Sequence, residues 1–383
     1  MINQSKYDFI IAGSGCAGLS LAIQLKQSKL SFNKILIIDK EVKNVNNRTW
    51  CFWTNQPINW YDEIVFKQWD KFIFKTDTLN KELFLKPYKY KLIKGLDFYT
   101  YCLNELQTDN RFEFVNDEIV QINSEDNQAF VKTSSNKFYG KYVFNSAIRT
   151  HNIKKNHVNY IQHFKGFVIE TENECFDDNC PVFMDFSVKQ YNDCRFVYII
   201  PFSKKKALIE YTGFSEKPLK DEEYDEKLNN YINTVLKLER FKISEVETGM
   251  IPMAESEFTN PFGKRVINIG TAGGNSKPST GYTFYFIQEQ TKKIITNLEN
   301  GFNPNYLLTN KKRYKYYDKI LLDVMNKKQI SAKTIFEILF QKNKPYEILS
   351  FLNEETTLVQ DIKIMNSVPK LKFIPSAIKK LFF

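Results

Sequence analysis

The sequence predicts an α/β fold, because a glycine-rich loop joins its first apolar run to a helical pattern and an acid closes its second apolar run. A third observation adds a second domain: the middle of the chain is dense in aromatic, alternating strand material, which reads as a mixed or antiparallel β-sheet. A helical C-terminal region follows. A chain of 383 residues is long enough to bury a core of this size.

Tyr7 to Ala12 is a short continuous apolar run, the pattern of a parallel strand covered on both faces. Gly13-Ser14-Gly15-Cys16-Ala17-Gly18 comes next, and Leu19, Ala22, Ile23 and Leu25 then recur at helical spacing. Gly13 allows the turn, Gly15 lets backbone approach a pyrophosphate, and Gly18 allows the helix to pack closely on the strand. Cys16 and Ala17 open the helix, whose N–H groups and dipole face the phosphates. A second run, Lys34 to Ile38, ends at Asp39, where a carboxylate can accept hydrogen bonds from a ribose. These elements define a Rossmann-type FAD/NAD(P)-binding domain.

The domain is discontinuous. After a helix over Leu96–Leu106 come strands at Arg111–Val115, Gln128–Val131 and Phe138–Phe144, and the chain returns toward the nucleotide at Val143 to Ala147. Arg265 to Gly270 reads as a late strand, followed by a Gly-rich loop through Gly281 and a helix over Tyr282–Ile295. Such a closing element resembles the stretch with which flavoproteins hold the ribityl and pyrophosphate of FAD, so Gly270 and Gly281 join the expected cofactor residues. The expected division assigns 1–60, 95–155 and 255–300 to the FAD-binding domain. It gives 61–94 and 156–254 to a substrate-binding β domain and 301–383 to the helical region.

Between Asn156 and Pro252 the strands are Gly166–Glu170, Val182–Phe186, Arg195–Phe202 and Lys206–Thr212. Aromatics form 15% of the chain, enough to line an extended apolar pocket or simply to fill a Phe-rich core. Lys plus Arg exceed Asp plus Glu by 54 to 44, a net charge of +10. No compact basic stripe accompanies that charge, so nucleic-acid binding is disfavoured. The six cysteines form no C-x-x-C pair, and His151, His157 and His163 fit no common ligand spacing, so neither a metal site nor a disulfide framework is expected. No secretory signal pattern opens the chain and no apolar run reaches ~18 residues, so a cytoplasmic protein is expected. The tail from Lys370 interleaves Lys with bulky apolar residues, as interfacial segments do and as a packed helix with outward lysines also does.

Several stretches, in order, resemble the flavoprotein lycopene cyclases of carotenoid synthesis. They are Gly13–Gly18, Arg48-Thr49-Trp50-Cys51-Phe52-Trp53, Phe183-Met184-Asp185-Phe186, Phe196–Phe202 with Ile209-Glu210-Tyr211-Thr212, Gly249-Met250-Ile251-Pro252-Met253, and Ile269–Gly273 with Lys277–Tyr282. The resemblance implies cyclisation of the linear ends of lycopene and related carotenes to β-rings, with reduced FAD that does not turn over and NAD(P)H as reductant. It places the family's acid at Glu210 and makes Asp185 a second carboxylate of importance. Arg48, Thr49 and Trp50 either approach the flavin or pack beneath it. The substrate dissolves in bilayers, so peripheral association with the inner face of the membrane is expected. Two departures stand out: Tyr211 replaces a second acid after Glu210, and Lys277 replaces the usual His before Pro278. An FAD-dependent hydroxylase or polyprenyl reductase of the same fold, and a non-catalytic flavin- or lipid-binding protein, are the competing readings. Read without the resemblance, Glu210 is either a buried proton donor or a strand Glu paired with Lys204 or Lys205. Oligomeric state is not legible.

Overall fold

The computed structural model describes residues 6–56, 59–125, 127–147, 159–254, 260–306 and 312–382; His151 and His157 lie outside them. The first part holds β1 (Tyr7–Ala12), α1 (Cys16–Gln27), β2 (Ile35–Asp39) and β3 (Thr49–Thr54), then β4 (Lys67–Trp69), β5 (Lys71–Lys75), β6 (Asn80–Phe84) and β7 (Lys89–Lys94). Next come α2 (Gly95–Gln107), β8 (Phe112–Asn116), β9 (Ile119–Ser124), β10 (Ala129–Thr133) and β11 (Lys137–Asn145). The middle comprises β12 (Asn159–Glu170), β13 (Val182–Asp185), β14 (Cys194–Ser203), β15 (Lys206–Ser215), α3 (Asp221–Thr234) and β16 (Lys242–Ala254). The chain then runs through β17 (Val266–Asn268), α4 (Phe284–Glu299), α5 (Lys312–Asn326), α6 (Ala332–Lys342), α7 (Pro345–Leu352), α8 (Leu358–Met365) and α9 (Lys370–Phe382).

The first sheet has the order β8-β2-β1-β11, all parallel, with β17 parallel to the end of β11 and β10-β9 antiparallel beyond its start. All six residues of β1 are buried, as a central strand with both faces covered requires. Ile11, Ile35, Ile37 and Phe144 pack on one face with α1, α2 and α4, while Ile10, Leu36, Ile38 and Val143 pack on the other. This is a Rossmann-type α/β layer. The late strand is shorter than the sequence indicates, because Gly270 already opens a turn of 3-10 helix, and α4 begins two residues after the expected start.

The second sheet, β16-β12-β15-β14-β13-β5-β6, is mixed: its pairs are antiparallel except β13 with β5. Along β15 the residues alternate between faces. Ala207, Ile209 and Tyr211 pack with Tyr224, Leu228 and Tyr231 of α3, whereas Leu208 belongs to the core shared with the C-terminal helices. In that core Phe72 stacks on Phe183 with ring centroids 4.3 Å apart, and Phe74 lies 4.6 Å from Phe340.

The segment 61–94, expected wholly with the second domain, divides in two. β5 and β6 extend the large mixed sheet, whereas β4 and β7 pair with β3 in a sheet of their own. The reason lies in its two apolar faces: Phe52 and Ile93 pack into the first core, and Trp53, Tyr90 and Leu92 into the second. The small sheet therefore joins both cores.

Candidate active site

A cleft of about 570 Å³ opens at the C-terminal ends of β1 and β2. Seven of the expected cofactor residues line it: Gly13, Gly15, Cys16, Ala17, Asp39, Arg48 and Gly270. Ser146 and Ala147 line it too, where the chain returns from β11, and the Ser146 hydroxyl donates to the Ala12 carbonyl at 2.9 Å. Gly15 is the N-cap of α1 and supplies no side-chain cap, so the first N–H groups of the helix stay available to an anion. The Ser14 N–H and hydroxyl donate to Asp39 Oδ2 at 2.6 and 2.9 Å, and the Glu41 N–H to Oδ1 at 2.9 Å. Burial opposes the charge of Asp39, but these donors and the Lys43 ammonium outweigh it and hold the carboxyl below its ordinary range. Helix donors for a pyrophosphate, an ionised acid for a ribose and a cleft of this volume together fit a dinucleotide.

Two expected residues do not line the cleft. A Cβ on Gly18 would fall 1.9 Å from the Gly13 carbonyl oxygen, so this glycine serves the packing of α1 under the loop. Gly281 crosses β12, where its Cβ position lies 1.6 Å from Gln162 Oε1. That buried oxygen has no hydrogen-bond partner, nor does the neighbouring Thr280 hydroxyl.

Glu210 stands on the face of β15 turned toward the C-terminal helices, opposite Tyr198 of β14 on one side and Gly166 of β12 on the other. Glu210, Cys51 and Tyr282 are each half-buried, and the carboxyl of Glu210 acts electrostatically on Cys51, Tyr198 and Tyr282. These side chains therefore form one cluster. The Thr212 hydroxyl donates to Glu210 Oε1 at 3.0 Å, while Lys204 pairs instead with Glu174 at 3.1 Å. Burial first, and then the carboxyl of Glu247, push Glu210 well above the usual carboxylate range against the Thr212 hydrogen bond.

Glu247 of β16 is opposite Gly166 from the other side, is 7% exposed, and accepts the Thr49 N–H at 2.8 Å. Burial raises it as well, opposed by the Thr49 hydrogen bonds and the Arg48 charge. Sequence reasoning missed this residue. Only the register, which sets Glu210 and Glu247 astride one glycine, reveals it.

Aromatic rings pack around this cluster. The Tyr198 and Tyr282 hydroxyls approach to 3.3 Å, Trp53 meets Tyr282 edge-on at 4.5 Å, and Phe183 contacts both tyrosines. Burial pushes the phenols of Tyr90, Tyr198 and Tyr282 up, keeping them protonated. β3 and the residue before it tie this cluster to the cleft: Arg48 and Trp50 line the cleft, the Thr49 N–H reaches Glu247, and Cys51 lies at the aromatic side. Behind the late loop, buried Lys277 is held between Asp318 at 3.1 Å and Glu354 at 3.0 Å, anchoring the loop to the helical region.

Asp185 is elsewhere. Its carboxylate, 1% exposed, accepts the Tyr231 hydroxyl at 2.7 Å and the Ser187 N–H at 2.8 Å and pairs with Lys75 at 3.1 Å, on the face covered by α3. The sheet separates it from Glu210, so the two expected carboxylates do not meet. His163 is buried between the Tyr224 and Ser215 hydroxyls. Among the described residues the cysteines are free, no His/Cys/Asp/Glu group has the arrangement of a metal site, and no helix is long and apolar enough to cross a membrane.

A sequence model described as "Lycopene cyclase protein" matches residues 8–377. The chain is 24% identical over 303 residues to a chloroplastic neoxanthin synthase of Solanum lycopersicum, covering 73% of this chain and 58% of that one. It thus spans little more than half the length of this relative. Identity is also 24% over 301 residues to a lycopene beta-cyclase of Pantoea ananas, covering 73% and 72% of the two chains. Among solved structures, a geranylgeranyl bacteriochlorophyll reductase-like protein of Thermoplasma acidophilum superposes with a TM-score of 0.64 at 13% identity over 98% of each chain. A flavoprotein/dehydrogenase of Cytophaga hutchinsonii gives 0.64 at 12% identity, over 94% of this chain and 98% of that one.

Proposed function

Since the chain belongs to the lycopene cyclase family, we propose that it is a lycopene β-cyclase, converting the linear ends of lycopene to β-rings by way of γ-carotene. The observation that carries this reading is Glu210: a carboxyl raised by burial, set beside packed tyrosine and tryptophan rings. A carboxylic acid that stays protonated near neutral pH can give its proton to the terminal C=C bond of a polyene. The resulting cation is attacked by the next double bond, which closes the ring, and loss of a ring proton ends an isomerisation without net oxidation. The aromatic faces around Glu210 stabilise the positive charge and exclude water.

FAD is the proposed cofactor, in reduced form, with NAD(P)H as its reductant; when bound, it supplies negative charge beside the cation. Gly13, Gly15, Cys16 and Ala17 would hold its pyrophosphate, Asp39 its ribose, and Arg48, Gly270 and the loop through Gly281 the flavin end. Gly18 supports that loop from below. Asp185 takes the role of a positioning residue, tying β13 to α3. In this reading 1–60, 95–155 and 255–300 bind FAD, 61–94 and 156–254 bind substrate, and 301–383 covers it, with the β3 sheet as their joint. The protein works in the cytoplasm at the inner face of the membrane, supported by α9, where Leu371, Ile374, Ile378 and Leu381 are exposed at helical spacing.

Expression in lycopene-accumulating cells, with pigments separated by chromatography, tests the assignment. The parent protein should yield β-carotene, and Glu210→Gln should retain fold and flavin but leave lycopene. β-Carotene at parental levels from Glu210→Gln would remove the acid's role from Glu210.

A further inference from the structure

Register places Glu210 and Glu247 on one sheet face, both directly opposite Gly166. Their backbones are two strand spacings apart, roughly 10 Å, and between them stands the residue type without a side chain. A Cβ on Gly166 would meet Leu208 Cδ1 at 2.7 Å and Glu210 Cβ at 3.3 Å, so the glycine clears the floor between the two acids. Nothing in the proposed proton donation uses Glu247, yet it is buried, and its Oε1 is fixed by the Thr49 N–H from the strand that also lines the cofactor cleft.

We propose that Glu247 is the proton partner of Glu210, a positioning residue whose negative charge across Gly166 keeps Glu210 protonated and lets the pair take back the proton that ring closure releases. This rests on the cyclase reading. In the resting pair Glu210 carries the proton and Glu247 the charge. Donation breaks the Glu210 O–H bond and forms a C–H bond at the terminal carbon, leaving two carboxylates facing one cation. Ring closure follows; the ring C–H bond then breaks, its electrons form the ring double bond, and its proton returns to the pair. No oxidant, reductant or solvent proton enters the cycle. Around the pair, Arg48, Glu245 and Lys206 act from the Glu247 side, while the Thr212, Tyr198 and Tyr282 hydroxyls and the Cys51 thiol face Glu210.

Glu247→Gln preserves an acceptor for the Thr49 N–H and removes only the charge. Glu210 then ionises more readily, so the alkaline limb of the pH–activity profile should move down by about one pH unit, a tenfold change in proton affinity. Glu247→Asp should restore part of the shift. An unmoved limb at the parental rate overturns the proposal. If Glu247→Gln forms no ring at all, infrared titration of protonated carboxyl groups in flavin-loaded parent and Glu210→Gln decides. With Glu210 gone, the remaining Glu247 band should titrate about one pH unit lower than the pair does; an identical titration refutes the coupling. This second readout needs no turnover, so failure of the pair and failure of the cyclase reading remain distinct.

Discussion

At the scale of single residues, burial decides which acids were readable. Glu210 follows Ala207-Leu208-Ile209 in an apolar strand, and an acid in that setting draws notice. Glu247 sits in Ser244-Glu245-Val246-Glu247, an alternation that reads as a solvent-facing edge, and only pairing with β12 turns it inward. Asp185 was singled out through the resemblance alone, and its place on the opposite face was not legible, because periodicity does not name the neighbour that covers a face. Gly166→Ala tests the tolerance of the site. The added methyl costs about 1 kcal/mol of stability, since the Leu208 methyl can turn away, yet displaces Glu210 enough to lower cyclisation at least tenfold. Thermal unfolding together with rate measurement checks both numbers. His163 gives a second prediction. Burial first, then the Arg195 charge, lower its pKa to about 4 from an ordinary 6.5, so the folded state holds it neutral. The depressed value means that its contribution is present above pH 6.5 and is lost as pH falls through about 4, on the order of 3 kcal/mol at the acid end. Urea unfolding at pH 7 and pH 4.5 should therefore show a steeper acid loss for the parent than for His163→Gln.

At the scale of elements, the Rossmann strands were legible because apolar runs with both faces covered leave a continuous signature, and β1 and β2 lie where the pattern indicated. β3 was not assigned to a sheet of its own, since Thr49-Trp50-Cys51-Phe52-Trp53 is aromatic on both faces and pattern alone does not say that each face serves a different core. Of the two readings of the C-terminal tail, the structure bears out the packed helix. Phe373 and Ala377 of α9 pack inward and the Tyr316 hydroxyl bonds the Ala377 carbonyl, while Leu371, Ile374, Ile378 and Leu381 face out among lysines. Leu358, Val359 and Ile362 of α8 are exposed as well. Replacing the four outward residues of α9 with Ser leaves the packed side intact, so the unfolding temperature should hold. Sedimentation with anionic lipid vesicles should fall at least tenfold, and unchanged sedimentation would exclude α9 as the contact.

At the scale of the whole molecule, one arrangement of cleft, bridging strand and half-buried acid serves two chemistries, and the fold alone does not choose between them. A polyprenyl reductase or hydroxylase built this way spends one NAD(P)H per product, because a hydride or an oxygen atom ends in the substrate. A cyclase returns every proton and electron it moves. The acid among aromatic rings suits protonation of a double bond, a step that reducing a C=C bond also needs, so the two chemistries part at the NAD(P)H they consume. The purified protein should take up FAD and turn yellow, bleach on anaerobic reduction, and lose uptake by roughly tenfold or more in Asp39→Ala, whose carboxylate is ionised and aimed into the cleft. With the flavin reduced chemically under strict anaerobiosis and no NAD(P)H added, rings should still form from lycopene over many turnovers. Formation of at most one product per flavin under those conditions would assign the chain to the reductase chemistry instead.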